Sequence, residues 1–200
     1  MAIKIRPIVF KVNVVPPIPA NTVRVRTSDG LAPTKASVYG IETSYETATL
    51  VSGTTDVYDV YKSGASFDYF LYYSSNVVEV LGANTSSVTS MTSMFNSCSS
   101  LTTVNLFDTS NVTNMSYMFA DSSLLTAVPL FNTSSVTNMN GMFTRCIKVE
   151  SGALALYNQV SSQVNPPSNH TGTFNACGVD TVTGAAELAQ IPSSWGGTGA

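Results

Sequence analysis

The chain has 200 residues, a formal net charge of −3 and only 10% charged residues, against about 25% in an ordinary globular protein. Its polarity comes from Ser, Thr and Asn, and its few basic residues do not cluster, which excludes the electrostatic footprint of a nucleic-acid-binding protein. The length allows one or two domains, and no apolar run reaches the roughly 18 residues that a membrane-spanning helix needs.

The segment Met1-Ala2-Ile3-Lys4-Ile5-Arg6-Pro7 lacks the long apolar core of a secretion signal. The expectation is therefore synthesis in a cytosol, without export by such a signal. From Ile3 to Val15 apolar and polar residues alternate in part, until Pro16, Pro17 and Pro19 stop the run. Thr22–Thr27 (TVRVRT) alternates cleanly, and Ser28-Asp29-Gly30 marks a turn. Val38–Tyr45 and Thr47–Val51 read as further strands, and Val57, Tyr58, Val60 and Tyr61 follow. Residues 1–62 are expected to form a small β module. Within it, Met1–Pro19 is either an arm that docks on another subunit or an ordinary edge strand.

From Thr85 to Leu156 one 24-residue unit is written three times, starting at Thr85, Thr109 and Thr133. Such a unit cannot bury its apolar face alone and must stack on its neighbours. Alignment yields a structural ladder of apolar columns. They are Val88, Val112 and Val136; Met91, Met115 and Met139; Met94, Met118 and Met142; and Phe95, Phe119 and Phe143. The spacing of three, three and one predicts one face of a short helix, with the Thr-Ser opening of each copy as its N-cap. Leu101, Val104 and Leu106, matched by Leu125, Val128 and Leu130, follow the L-x-x-L-x-L pattern of a leucine-rich-repeat strand. In the third copy it decays to Val149, Gly152 and Leu154. Turns are expected at Phe107-Asp108 and Phe131-Asn132. The fold class expected is α/β: a short leucine-rich-repeat-like solenoid of helix–strand coils with a parallel sheet, preceded by the small β module. The methionines are read as stacked core in preference to an adaptable binding surface.

Weaker copies flank the array. Phe67, Phe70, Leu71, Ser74, Val77 and Val80 fall on the same columns one period upstream, so residues 66–84 read as a degenerate first coil. Downstream, after an insertion holding Asn165-Pro166-Pro167, Phe174-Asn175-Ala176-Cys177 repeats the Phe-x-x-Cys spacing. The organisation expected is a β module at 1–62 and a repeat domain at 63–200, with full repeats at 85–156 and a cap at 157–200. Within the cap region Ala153–Val164 and Thr183–Gln190 read as helices, and Trp195 as a cover for the last coil.

Cys98, Cys146 and Cys177 share one column, with Ser122 at the skipped level. Cys98 and Cys146, two coils apart, are too distant for a disulfide, while Cys146 and Cys177 fall within pairing reach. The reading adopted is small buried thiols. No metal site is assigned, because Cys146, Cys177 and the lone His170 lack the paired spacings of a zinc site. No catalytic residue and no cofactor are assigned: no G-x-S-x-G elbow accompanies His170, the acids show no glycosidase pairing, and no phosphate-cradling glycine loop appears. The expectation is a protein that is not an enzyme.

The run Asp108-Thr109-Ser110-Asn111-Val112-Thr113-Asn114-Met115-Ser116-Tyr117-Met118-Phe119, with Met-Phe-x-x-Cys at Met94–Cys98 and Met142–Cys146, resembles the BspA-like leucine-rich-repeat surface proteins. The likeness is strong over 85–150, extends over 66–190, and does not cover 1–62. It implies an extracellular recognition or adhesion module of the kind also encoded by gut bacteriophages and prophages. The expectation that follows is a phage virion surface protein, tail- or head-associated, in many copies or as a homo-oligomer. Its N-terminal part would contact other virion proteins, and its repeats would face a host-surface protein or glycan. A bacterial cell-surface adhesin and a purely structural decoration protein are the alternatives. Phe107, Phe131 and Trp195 are the candidate ligand contacts.

Overall fold

The computed structural model of the protein describes residues 16–38 and 40–199; the run Ile3–Val15, and with it most of the candidate arm, lies outside them. In TVRVRT the alternating valines favour an extended backbone with two distinct faces. β1 (Thr22–Thr27) forms there, with Val23 and Val25 fully buried. A short hairpin of β2 (Ser37–Val38) and β3 (Ile41–Glu42) follows. Next come β4 (Thr47–Leu50), β5 (Val57–Tyr61), β6 (Val77–Asn84) and β7 (Thr103–Val104). The sheet has five strands in the order β4-β5-β1-β6-β7. β1 is antiparallel to both β5 and β6, whereas β7 runs parallel to β6, with Glu79 opposite Thr103 and Val80 opposite Val104. β6 therefore closes the antiparallel sheet on one edge and opens the repeat stack on the other. The expected division at residues 62 and 63 falls between β5 and β6 of this one sheet, and a single apolar core runs from Val23 to Trp195.

The coil backbones overturn the helix–strand reading. In the first full coil the N–H groups of Met91, Ser93, Phe95 and Ser97 donate to the carbonyls of Asn114, Ser116, Met118 and Ala120 in the next coil. The N–H groups between them, on Met94, Asn96 and Cys98, turn back onto Met91, Ser93 and Phe95. Alternate amides thus bond between coils and within them, and none makes the ladder of an α-helix. Two residues per coil are left-handed: Ser93 (φ 52°) and Ser97 (58°), Tyr117 (55°) and Asp121 (61°), Gly141 (61°) and Arg145 (58°). A right-handed helix cannot pass through such residues. A chain of tight turns returns Met91, Met94 and Phe95 to one side at the spacing a helix would give, and this is why the sequence pattern misleads.

The strand half is corrected too. Leu101 and Leu125 are buried, but Leu106 (61% exposed) and Leu130 (45%) face solvent. Beyond β7 the pairing shrinks to single parallel bridges such as Ala127 with Ser151. Nor do the opening threonines cap helices: the hydroxyls of Thr85 and Thr109 donate to the carbonyls of Asp108 and Asn132, at 2.6 and 2.8 Å, clamping each coil to the next. The protein is a small mixed sheet continued by stacked turns, not a helix–strand leucine-rich-repeat fold. Its α-helices among the described residues are two short ones, α1 (Ala153–Ser161) and α2 (Val182–Leu188).

Side-chain stacking holds the coils together. Phe95, Phe119 and Phe143 lie ring over ring at 5.3 Å per step, and Phe174 continues the pile at 6.0 Å. Each such pair contributes roughly 0.5–1.5 kcal/mol beyond its buried area. The last level comes from beyond the proline-bearing insertion: Met139, Gly141, Phe143 and Arg145 donate to the carbonyls of Asn169, Thr171, Thr173 and Asn175. α1 buries Ala153, Leu156 and Val160 against this end. Its start requires Gly152, because a Cβ there would meet the Val128 carbonyl oxygen at 2.5 Å.

Candidate functional site

The structural ladder lies entirely inside. Val88, Val112, the methionines at 91, 94, 115, 118, 139 and 142, the phenylalanines at 95, 119 and 143, Cys98, Ser122 and Cys146 are 0% exposed, and Val136 is 3% exposed. The thiols of Cys98 and Cys146 donate to the carbonyls of Leu71 and Phe119 at 3.1 and 3.0 Å, and the Ser122 hydroxyl does the same to Phe95 at 2.8 Å. All three cysteines are free. Burial pushes the Cys98 and Cys177 thiols up to about 12 and Cys146 well above its ordinary value. These are packing groups without nucleophilic character at neutral pH.

Of the three candidate contacts, two are interior. Phe131 is 1% exposed and stacks on Phe119 at 6.1 Å; Phe107 packs against it at 4.8 Å and is only partly covered. Trp195 is 7% exposed. Its ring lies parallel to His170 at 4.0 Å and edge-on to Tyr157 at 5.5 Å, and its carbonyl accepts from Phe174 N–H. As ligand contacts, Phe131 and Trp195 are thus corrected: Phe131 belongs to the core, and Trp195 takes the covering place on the last coil that the sequence also suggested, packed against His170 and Tyr157.

The left-handed positions form two columns along the stack. One column runs Tyr69, Ser93, Tyr117, Gly141; the next runs Tyr73, Ser97, Asp121, Arg145. A non-glycine residue in this region costs roughly 1–2 kcal/mol; of these positions Ser93 and Gly141 are buried, whereas Tyr117 and Arg145 reach solvent. Tyr117 is 42% exposed and lies across Gly141, where a Cβ would approach its ring to 2.4 Å. The Asn140 amide donates to the Tyr117 hydroxyl at 2.9 Å. Tyr69 packs edge-on to Tyr72 at 5.5 Å, and Tyr72 meets Tyr73 at 4.6 Å. Across the neighbouring levels Arg145 grips Asp121 with two bonds, of 2.5 and 2.8 Å. The Asp121 hydrogen bond is the main cause that raises the guanidinium's pKa. With the Arg145 side chain 65% exposed, this pair adds no more than about 1 kcal/mol to stability. Sequence reading overlooked these columns. A partial signal was available: the ninth and thirteenth residues of the repeat change identity from copy to copy, while the Val, Met and Phe columns hold theirs.

A cleft of about 340 Å³ lies on the sheet, lined by Ile18, Arg24, Arg26, Val51, Thr54, Val57 and Leu81. Its cations are already engaged: Arg24 by both carboxylate oxygens of Asp59, at 2.7 and 2.8 Å, and Arg26 by Asp56 and Glu79, each at 3.0 Å. The cleft is therefore no ready anion site. Among the described residues no His, Cys, Asp and Glu cluster could hold a metal ion, and no helix is long and apolar enough to cross a membrane.

No curated protein and no solved structure matches the chain. The family described as "Mycoplasma protein of unknown function, DUF285" matches residues 54–176, a span that opens just before β5 and closes in the last coil. That span is more than half of the sequence and takes in every stacked coil, and the protein belongs to the DUF285 family.

Proposed function

We propose that the protein is a non-enzymatic surface-display module of a bacteriophage virion, its N-terminal region attached to other particle proteins and its stacked coils turned toward the host surface. The observation that carries this reading is the split between inside and outside in the repeat. The buried columns keep Val, Met, Met and Phe in each full copy, while the half-exposed column Ser97, Asp121, Arg145 changes from Ser to Asp to Arg and Tyr117 stands exposed between a buried Ser93 and a buried Gly141. An arrangement that fixes the frame and varies the exposed side chains suits recognition. The family's association with BspA-like surface proteins supports the surface-display part of this reading. A neutral outer skin in many copies on one particle gains avidity without charge steering.

Mass spectrometry of purified virions tests the assignment: peptides from residues 85–156 are expected in the particle fraction, and their confinement to cell envelopes would overturn it in favour of a bacterial adhesin, the second reading, which the family association also favours. Presence on the particle, with no adsorption of the purified chain to host cells, would reduce the role to decoration.

A further inference from the structure

We propose that the tyrosine-bearing face, formed by Tyr69, Tyr73 and Tyr117 with Asn140, Asp121 and Arg145, binds a neutral glycan chain; this rests on the surface-recognition reading above and names its ligand class. The tyrosines are the least expected residues for their positions. Tyr69, Tyr73 and Tyr117 have φ of 57°, 57° and 55°, a region where Gly or Asn is at ease and a bulky side chain is an outlier. Tyr117 is 42% exposed, and Tyr69 and Tyr73 are half-buried beside Tyr72. What they supply is a flat apolar surface with a polar rim.

The Tyr117 ring is held before any ligand arrives. Gly141 leaves room beneath it, and the Asn140 amide fixes its hydroxyl at 2.9 Å. The ring lies against Gly141 on one side and is 42% exposed, which leaves surface for the C–H face of a sugar with little rotamer freedom left to lose. Tyr69 and Tyr117 sit two levels apart in one column, roughly 10 Å at strand-like spacing, which suits an extended chain laid along the stack. The rim suits hydroxyl groups. Asn140, which holds the Tyr117 hydroxyl through one amide N–H, has a second N–H for a sugar hydroxyl, and the Arg145 Nη1 lies outside the paired bonds to Asp121.

Charge narrows the ligand further. Asp121 and Arg145 neutralise each other, so the face makes no demand for an ionic partner, and the chain's net charge of −3 disfavours a polyanion.

The test is a panel of neutral glycans including mannohexaose and cellohexaose, with polygalacturonate as the anionic probe. Each is titrated against the full chain while the tyrosine ring signals are followed by NMR. Saturable shifts of the Tyr69, Tyr73 and Tyr117 rings with a neutral glycan are expected. Tyr117→Ser and Tyr69→Ser should each weaken binding about tenfold, whereas Tyr117→Phe should hold it within about threefold. Circular dichroism shows which variants remain folded, and if Tyr117→Ser does not, Tyr69→Ser and the Phe variant decide. No shift with any neutral glycan, preference for polygalacturonate, or unchanged affinity in a folded Ser variant overturns the proposal. Should the chain adsorb to host cells through other residues while no glycan binds, the recognition reading stands and the glycan assignment falls. Absence of both cell and glycan binding removes the two together.

Discussion

Ser122 shows how little a buried column asks of its members. Its hydroxyl stands where Cys98 and Cys146 place sulfur, and all three donate to a carbonyl 27 residues earlier. Ser122→Cys should therefore change stability by less than about 1 kcal/mol, while Ser122→Ala removes a buried donor and should cost about 1–3 kcal/mol; chemical denaturation separates the two. The thiols also make stability depend on pH. Folded Cys98 and Cys177 titrate near about 12, above the ordinary 9.0. Their folded pKa is raised, so their contribution is present in full below about pH 9 and is lost as pH rises toward 12. A melting temperature that falls steeply across that window is expected, together with thiols that react with a disulfide reagent only after unfolding. The column itself was legible from spacing alone. Which aromatic rings were interior was not: Phe131 and Phe107 hold equivalent places in the repeat, yet Phe131 stacks on Phe119 and its carbonyl accepts from Gln159 of α1, while Phe107 packs on Phe131 and is only partly covered.

At the scale of the element, the coil is defined by its left-handed residues and not by helix propensity. Ala176 sits at the last of these positions with φ 54°. Ala176→Gly should relieve the Cβ contact and stabilise the protein by about 1 kcal/mol, read as a rise in the denaturation midpoint. A helical coil would give the opposite sign, because glycine weakens helices by a similar amount. The stretches that read as helix and proved helical, α1 and α2, differ from the coils in a nameable way. α1 has a left-handed glycine only at its edge, Gly152 (φ 96°), and α2 opens on a Thr181 side chain that accepts from Gly184 N–H at 3.0 Å. In the coils the interrupting residues are Ser, Tyr, Asp, Arg and one glycine, Gly141, and most of them give no sign of a left-handed backbone in a single sequence.

For the whole molecule the decisive fact is that sheet, coils and cap share one core. β6 pairs with β1 on one side and β7 on the other, and the far end is closed by Trp195 against His170 and Tyr157. Trp195→Ala should open that end and cost about 3–5 kcal/mol. Unfolding is expected to remain a single transition by fluorescence and circular dichroism, because no boundary in the core isolates the cap. Two separate transitions would show that the repeats and the N-terminal sheet fold apart.

The sequence by itself determined the repeat length, its register, the identity of the buried columns, the neutrality of the surface and the two short helices, because burial and charge are written in residue type and spacing. Only the tertiary structure decided the path of the backbone within a coil and which rings face outward. A chain of turns and a helix return side chains to one face at nearly the same intervals, and the choice between them is made by hydrogen bonds to a neighbouring coil that a single repeat does not contain.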